Sequence, residues 1–399
     1  MNVLLNNISK ISLTLVLITL PLGFAVNSIS IILFFLVGCF KLIQLKERVV
    51  FNKLMALFIG FYILCFLSLF WSDNVKSTTE GLPRFLPYII LPIAFLLNNI
   101  RVDKREEVLN FFSKSLVYYA FYCLLIGALN TYKYSDFSYL FYHKLSNNLS
   151  NMNAIYLSVF ISFGIGFFLT KKGKTKLDSF SLFFLALFLI LLSSKIIITF
   201  TLLFTLVFFL KRKNTKKLNY KYSIIIFGVT LILLLASNNV IKRIKKEIDK
   251  TNISEALNKN EFGNVYLWTG ASLRIFQIRA FYEIITEQQK YYLGFGLNNS
   301  QNSLNKKYSE YKLYPGYLSY NYHNQYIQVF AELGVLGFIL LLMIFYTLIK
   351  QSILYKDFSL FYMIMLIMVV CFTESFLWRQ RGMVFFITIA LLSLKKNNN

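Results

Sequence analysis

Residues 179–210, SFSLFFLALFLILLSSKIIITFTLLFTLVFFL, form an apolar run with a single charge, Lys195, near its middle. As one helix the run would measure about 48 Å at 1.5 Å per residue, well beyond a bilayer core of roughly 30 Å. Lysine clusters flank both ends, KKGKTK before it and KRKNTKKLNYK after it. Short loops rich in Lys and Arg stay cytoplasmic, so a single crossing would strand one cluster outside. Two short helices turning at Ser193-Ser194-Lys195 keep both clusters inside and place Lys195 at the outer-face turn. The alternative is one helix with a midplane lysine snorkelling to an interface, at about 2.5–3.5 kcal/mol. The hairpin avoids that cost.

The rest of the chain obeys the same logic. Hydrophobic residues make up 57% of it and charged residues 15%, far from the balance of a soluble domain. The apolar residues fall in blocks of about 16 to 22, each long enough to cross a bilayer as a helix. The fold expected is therefore an all-α polytopic membrane protein of about twelve transmembrane helices. They run roughly over 8–26, 29–45, 52–71, 85–100, 110–131, 153–170, 179–194, 195–210, 221–237, 325–349, 358–374 and 381–395. Helices one to nine occupy 1–237, one large and partly helical extracytoplasmic loop occupies 238–322, and helices ten to twelve occupy 323–399. The first 26 residues resemble a signal peptide without a small-residue cleavage site, so an uncleaved first helix is expected. The net charge of +24 would suggest nucleic acid in a soluble protein. Here most basic residues flank apolar blocks, and their alternation places both termini in the cytoplasm. Polar links such as NSIS and YKYSDFSYLFYHKLSNNLS fall outside. Four cysteines without CxxC spacing, Cys39, Cys65, Cys123 and Cys371, imply neither a metal site nor a disulfide frame.

This topology gathers polar residues on the outer face: Arg84 before the fourth span, Lys195, and Glu374, Arg379 and Arg381 between the last two spans. The large loop adds IKRIKKEIDK, with Ile241, Ile244 and Ile248 on one face of an amphipathic helix. SLRIFQIRAFYEIITE then spaces Arg274, Ile278, Phe281 and Ile285 as one helical stripe. Gly294 and Gly296 flank Phe295 in a turn that lacks the strand–turn–helix context of a nucleotide loop. Of the two histidines, His143 and His323, the second stands at the mouth of a span beside Asn324, with Glu332 further along. Singly, each of these reads as an interfacial anchor. Together, several cations and an imidazole on one side of the membrane make an anion pocket beside a base, and arginine's planar fork suits phosphate oxygens.

The span pattern and these residues resemble the O-antigen ligase and O-antigen polymerase superfamily of bacterial membrane glycosyltransferases. The resemblance is sharpest from Ser272 to Gly337: Ser272 and Arg274, the Gly294-Phe295-Gly296 turn, His323-Asn324, then Glu332, Gly334 and Gly337. The chain departs from the family pattern in Ser194-Lys195 for Ser-Arg, in Leu273 for Gly and in Ile278 for Trp. The resemblance implies transfer of a glycan from a polyprenyl (undecaprenyl) diphosphate carrier to an acceptor hydroxyl at the periplasmic face of the bacterial inner membrane. The acceptor is the lipid A-core for a ligase, the reading preferred here, or another lipid-linked glycan for a polymerase. The donor is already activated, so no cofactor or metal is expected. Arg274, Lys195 and Arg84 would bind the diphosphate, with Arg279 the rival to Arg274, and His323 would act on the acceptor. Asn324, Glu332, Arg379 and Glu374 would support them. Single displacement would invert the anomeric carbon. A reading from another class, a transporter of lipid-linked glycan or anion, would require repeats and broken helices, and charge spread through the membrane depth. The charges instead collect at one face.

Overall fold

The computed structural model describes residues 2–45, 51–99, 104–211, 245, 248–264 and 268–393, and among them all regular structure is helical. The expected span over 221–237 and most of the IKRIKKEIDK helix lie outside the described residues. Helices α1 (Asn2–Ile18) and α2 (Phe24–Leu45) pack together. Their turn lies at Thr19–Gly23 and not at NSIS. Pro21 and Gly23 end α1, and the NSIS residues continue α2 because the Asn27 amide N–H groups and the Ser30 hydroxyl find acceptors within the pair. Asn27 Nδ2 donates to Val16 O at 2.8 Å and to Thr19 Oγ1 at 3.1 Å, and Ser30 Oγ donates to Val26 O at 3.0 Å.

Helix α3 (Lys53–Leu67) leads through a 3-10 turn (Ser68–Phe70) to α4 (Val75–Phe85) and α5 (Pro87–Asn98). The fourth rod thus begins ten residues before its apolar block at 85, with a bend at Leu86 that follows from Pro83 and Pro87, which lack backbone donors. Next come α6 (Arg105–Tyr134), a 3-10 turn (Phe137–Leu140), α7 (Tyr142–Ser146) and α8 (Ala154–Thr170). The apolar run of 179–210 is two helices, α9 (Lys176–Leu191) and α10 (Lys195–Lys211), joined through Ser193 in the left-handed region at φ 51°. Thr175 and Asp178 form a capping box that starts α9, and Lys171 Nζ lies 2.8 Å from the Asp178 carboxylate. The lysines of KKGKTK and Lys195 consequently stand at opposite ends of α9.

Helices α11 (Ile253–Asn258), α12 (Gly270–Gln288) and α13 (Ser300–Glu310) build the connecting module. The chain then re-enters the bundle as α14 (Gln325–Leu354), α15 (Phe358–Cys371) and, after a 3-10 turn (Phe376–Trp378), α16 (Gln380–Leu392).

Five helical rods among the described residues are long and apolar enough to cross a membrane, Phe24–Gln44, Lys53–Phe70, Val75–Asn98, Arg105–Tyr134 and Gln325–Leu354, and five shorter apolar helices accompany them. Helices α8 and α16 are buried almost all round, as expected of apolar helices at the centre of a bundle. Peripheral helices turn large apolar side chains outwards instead: Ile29, Ile32, Leu36, Phe40 and Ile43 on α2, and Tyr118, Phe121, Leu125, Leu129 and Tyr132 on α6. An apolar exterior on that scale needs a lipid solvent. This is a membrane protein.

The module over 262–331 has its own small core, in which Leu273, Phe276, Ala280 and Ile284 of α12 pack with Phe295, Leu304, Tyr308 and Tyr322. The buried stripe of α12 therefore lies mostly one residue behind the stripe expected from Arg274, Ile278, Phe281 and Ile285; Ile278 is exposed, while Ile285 is buried in the same core. The aromatic residues of the module supply the partner surface, and they select the face that carries Phe276. The module's basic residues are mostly paired. Lys307 meets Glu287, Glu310 and Glu283 at 2.7–3.5 Å; burial alone would lower its pKa, but the hydrogen bond to Glu287 and the surrounding carboxylates raise it.

Helix α14 breaks at Gly334, where φ is 63° and ψ −161°, a region essentially reserved for glycine. The break frees carbonyls that the Gly294-Phe295-Gly296 turn takes up: Phe295 N donates to Ala331 O and Gly296 N to Glu332 O, both at 2.9 Å. Val335 N donates to Tyr291 O at 2.9 Å in return. A Cβ on Gly294 would lie 2.6 Å from both carbonyl oxygens, and one on Gly334 would collide with Tyr292 O. Gly334→Ala should destabilise the protein by on the order of 3 kcal/mol and lower its melting temperature in detergent. Gly60→Ala, where a Cβ meets nothing within 4 Å, should leave the melting temperature essentially unchanged.

Candidate functional site

The helix ends opposite the KKGKTK cluster enclose a cavity of about 1170 Å³. Its walls come from four places in the chain: the α9–α10 turn (Ser193 to Ile196), the start of α12 (Gly270, Leu273, Arg274), the approach to α14 (Leu318 to Asn321, His323) and the α15–α16 link (Thr373, Glu374, Arg379, Arg381). Phe24 and the α6–α8 link, including Tyr142, His143, Ser150, Asn151 and Asn153, complete it. Of the thirteen non-glycine residues at positive φ among the described residues, six line this cavity: Tyr142, Ser150, Asn151, Ser193, Ser319 and His323. Strained backbone of this kind persists where surrounding contacts over-determine it, and it concentrates at functional sites.

His323 is held at φ 45° between two backbone stitches. Its own N–H donates to Asn321 Oδ1 at 3.0 Å. The next residue, Asn324, caps α14 by accepting from Tyr326 N and Ile327 N at 3.0 and 3.1 Å, and donates to Phe372 O at 3.3 Å. Gln325 Oε1 accepts from Leu377 N at 2.7 Å, so the α14 entrance and the α15–α16 link are sewn together. That brings Glu374, buried at 6% exposure, to His323, with Oε2 3.3 Å from Nδ1. An ionised carboxylate there keeps the ring proton on Nδ1 and turns the Nε2 lone pair to other work.

Arg274 reaches the same link from α12. Its Nε donates to Thr373 O at 3.0 Å and Nη1 donates to Gly270 O at 2.9 Å, which fixes the guanidinium plane and leaves its remaining Nη hydrogens for a ligand. Thr269 caps this helix, accepting from Ser272 N at 3.2 Å. Across the cavity, the α6–α8 link is pinned by Asp136, which accepts from Lys144 Nζ at 2.8 Å and from Ser138. Those hydrogen bonds hold the exposed Asp136 carboxyl well below the usual carboxylate range.

The structure thus brings Lys195, Arg274, His323, Glu374 and Arg379 into one cavity and leaves four of the expected residues out of its lining. Arg84 stands behind the wall, within electrostatic reach of Arg379 and Glu332. Arg279 turns into the module: Nε donates to Glu283 at 2.8 Å, Nη1 to Lys259 O at 2.8 Å, and Nη2 to Tyr311 OH at 3.0 Å and Asn260 at 3.3 Å. It sits five residues after Arg274, on a different face of α12. Between the two arginines only Arg274 reaches the cavity. Asn324 serves as the helix cap just described. Glu332 is a buried staple, accepting from Asn299 N at 2.9 Å, Ser300 Oγ at 2.6 Å and Gln328 Nε2 at 2.9 Å. The α6–α8 link is a wall that sequence reasoning missed, although charge alternation groups it with the other cavity residues.

Residues 180–342 match the family model described as O-Antigen ligase. Over this segment the chain is similar to that family. The match takes in Lys195, Arg274, the glycine turn, His323 and Glu332, and it shows the resemblance read from the sequence. Glu374, Arg379, Arg381 and the α6–α8 link complete the cavity from outside the O-antigen ligase segment. Comparison with curated proteins gave no match. Asn324→Ala should cost about 1 kcal/mol of stability through loss of the cap, read as a lower melting temperature in detergent.

Proposed function

We propose that the chain is a membrane glycosyltransferase that moves a glycan from polyprenyl (undecaprenyl) diphosphate to an acceptor hydroxyl at the periplasmic face, as an O-antigen ligase does with the lipid A-core. The observation that carries the reading is the cavity itself, in which Arg274, Lys195 and Arg379 meet the His323–Glu374 pair. The acceptor oxygen attacks the anomeric carbon and its proton passes to His323 Nε2. The bond from that carbon to the phosphate oxygen breaks, and the carbon is inverted. The leaving group is polyprenyl diphosphate, and its growing charge falls on preorganised cations in a partly dry site, where they act most strongly. Arg84, behind Arg379, adds to the positive field. Every group in this account is a side chain of the protein or part of the substrate.

His323→Ala should lower turnover by about 10²–10⁴-fold, the ordinary worth of a general base, with donor binding retained. Near-normal turnover would remove His323 from the mechanism. Arg274→Lys keeps the charge but loses the fixed planar fork and should weaken donor binding about tenfold or more. The orientation is tested at the hairpin. Lys195→Cys, in a background with Cys39, Cys65, Cys123 and Cys371 replaced, should react with a membrane-impermeant maleimide supplied from the periplasmic side. Labelling only after the cytoplasm is opened would place the cavity on the wrong face. Whether the product is capped lipid A-core or extended lipid-linked polymer separates ligase from polymerase.

A further inference from the structure

The cavity holds more positive charge than its proposed donor can use. Four cationic side chains line it, Lys195, Arg274, Arg379 and Arg381, against the one carboxylate of Glu374. A diphosphate diester brings one negative charge per phosphorus, so the lining offers more cations than the diphosphate can pair. Unmatched buried charge is costly unless a ligand completes it.

Arg381 is the cation that stands apart from the others. It is 7% exposed, and its Nε is buried without a hydrogen-bond partner. Nη2 makes one long bond, to Ser150 O at 3.3 Å, and the guanidinium lies over the Phe24 ring at 4.7 Å. Ser150 Oγ in turn donates to Leu22 O. Arg381 is therefore mounted on the α1–α2 turn and the α6–α8 link, whereas Arg274, His323 and Glu374 are mounted on the α12 start, the α14 entrance and residues 372–374. It also belongs to the first turn of α16, a thirteen-residue helix whose N-cap makes no side-chain hydrogen bond, so the helix dipole adds to the local positive potential. Neighbouring on that wall, His143 Nδ1 accepts from Ala154 N at 3.3 Å, which puts the ring proton on Nε2 and makes it a donor.

We infer that Arg381 forms a second anion site in the cavity, for an acidic group, carboxylate or phosphate, carried by the saccharide itself. The inference deepens the glycan-transfer reading and rests on it: the substrate would be an acidic glycan, held by its lipid diphosphate at one wall and by its own charge at the other.

The test is binding to the full-length protein in nanodiscs, with trigalacturonate as the carboxylate probe, glucose 6-phosphate as the phosphate probe, maltotriose as the neutral one and undecaprenyl diphosphate as the donor probe. One of the two acidic saccharides should bind about tenfold or more tightly than maltotriose, and which one does so identifies the acidic group. Arg381→Gln should bring that preference to parity while changing affinity for undecaprenyl diphosphate by less than about twofold, and Arg381→Lys should keep part of it. The inference is overturned if neither acidic probe is preferred or if the preference survives Arg381→Gln. It is overturned equally if Arg381→Gln weakens undecaprenyl diphosphate as much as the acidic probe, since Arg381 would then belong to the diphosphate clamp. Failure of the broader reading looks different: the unaltered protein would not bind undecaprenyl diphosphate at all.

Discussion

A helix that breaks at Gly334 and a turn that mends it hold the rest of the structure in place. A membrane helix cannot leave carbonyls unpaired in hydrocarbon, because each unsatisfied group costs several kcal/mol. In α14 the carbonyls of Ala331 and Glu332 are claimed by the amides of Phe295 and Gly296, so the break and the module must form together. The same turn is bound to the start of α4: Thr78 Oγ1 donates to Leu297 O at 2.9 Å, and Leu297 N donates to Ser68 Oγ at 3.0 Å. With Glu332 fastening the start of α13, the module has little freedom to slide over the bundle. That immobility is what lets Arg274, on one side of the module, face His323, on the other.

Fixed geometry matters here because the groups concerned repel one another. Cations gathered in one cavity would spread apart on flexible supports, and two of them are instead restrained by neutral groups. Arg274 is gripped by two carbonyls and Arg381 by one carbonyl and an aromatic face. Preorganisation of this kind means the repulsion is met by folding, and an anion entering the cavity would relieve it. The positive-φ residues around the cavity belong to the same economy, since the bundle beneath them supplies the stability that local strain removes.

How much of this could be read in advance depended on the range of the interaction involved. The hairpin at Ser193–Lys195 was legible because bilayer thickness and lysine placement are constraints on the chain itself. The α1–α2 turn was misplaced because the polar groups of Asn27 and Ser30 found partners on α1 that no local pattern announces. The face of α12 was rotated by one residue for a related reason. Its apolar residues wrap widely enough to permit either stripe, and only the aromatic partners contributed by residues 295–322 decide between them. Arg274 and Arg279 look alike in sequence, five residues apart on one helix, and the carboxylate of Glu283, one turn beyond Arg279, separates them. Glu374 and Arg379 were grouped with the cavity because spans alternate sides. The α6–α8 link passed as a mere connection because asparagines and tyrosines in a loop carry no charge signal.

The matched O-antigen ligase segment and the cavity do not coincide, and the mismatch has a physical logic. The segment contributes Lys195, Arg274 and His323, the groups that would act on the diphosphate and the acceptor oxygen. Glu374, Arg379, Arg381, Phe24 and the α6–α8 link come from outside it. On the proposed reading, chemistry common to a polyprenyl diphosphate donor would need the first set whatever the sugar. Saccharide choice needs surfaces that can vary without disturbing that chemistry, and link residues mounted on a rigid bundle provide them. Glu374 is the exception, because it touches His323 directly. On the proposed reading, the last two helices would be tied to the reaction by one carboxylate, and the adjoining link with Arg381 would be left to meet the glycan.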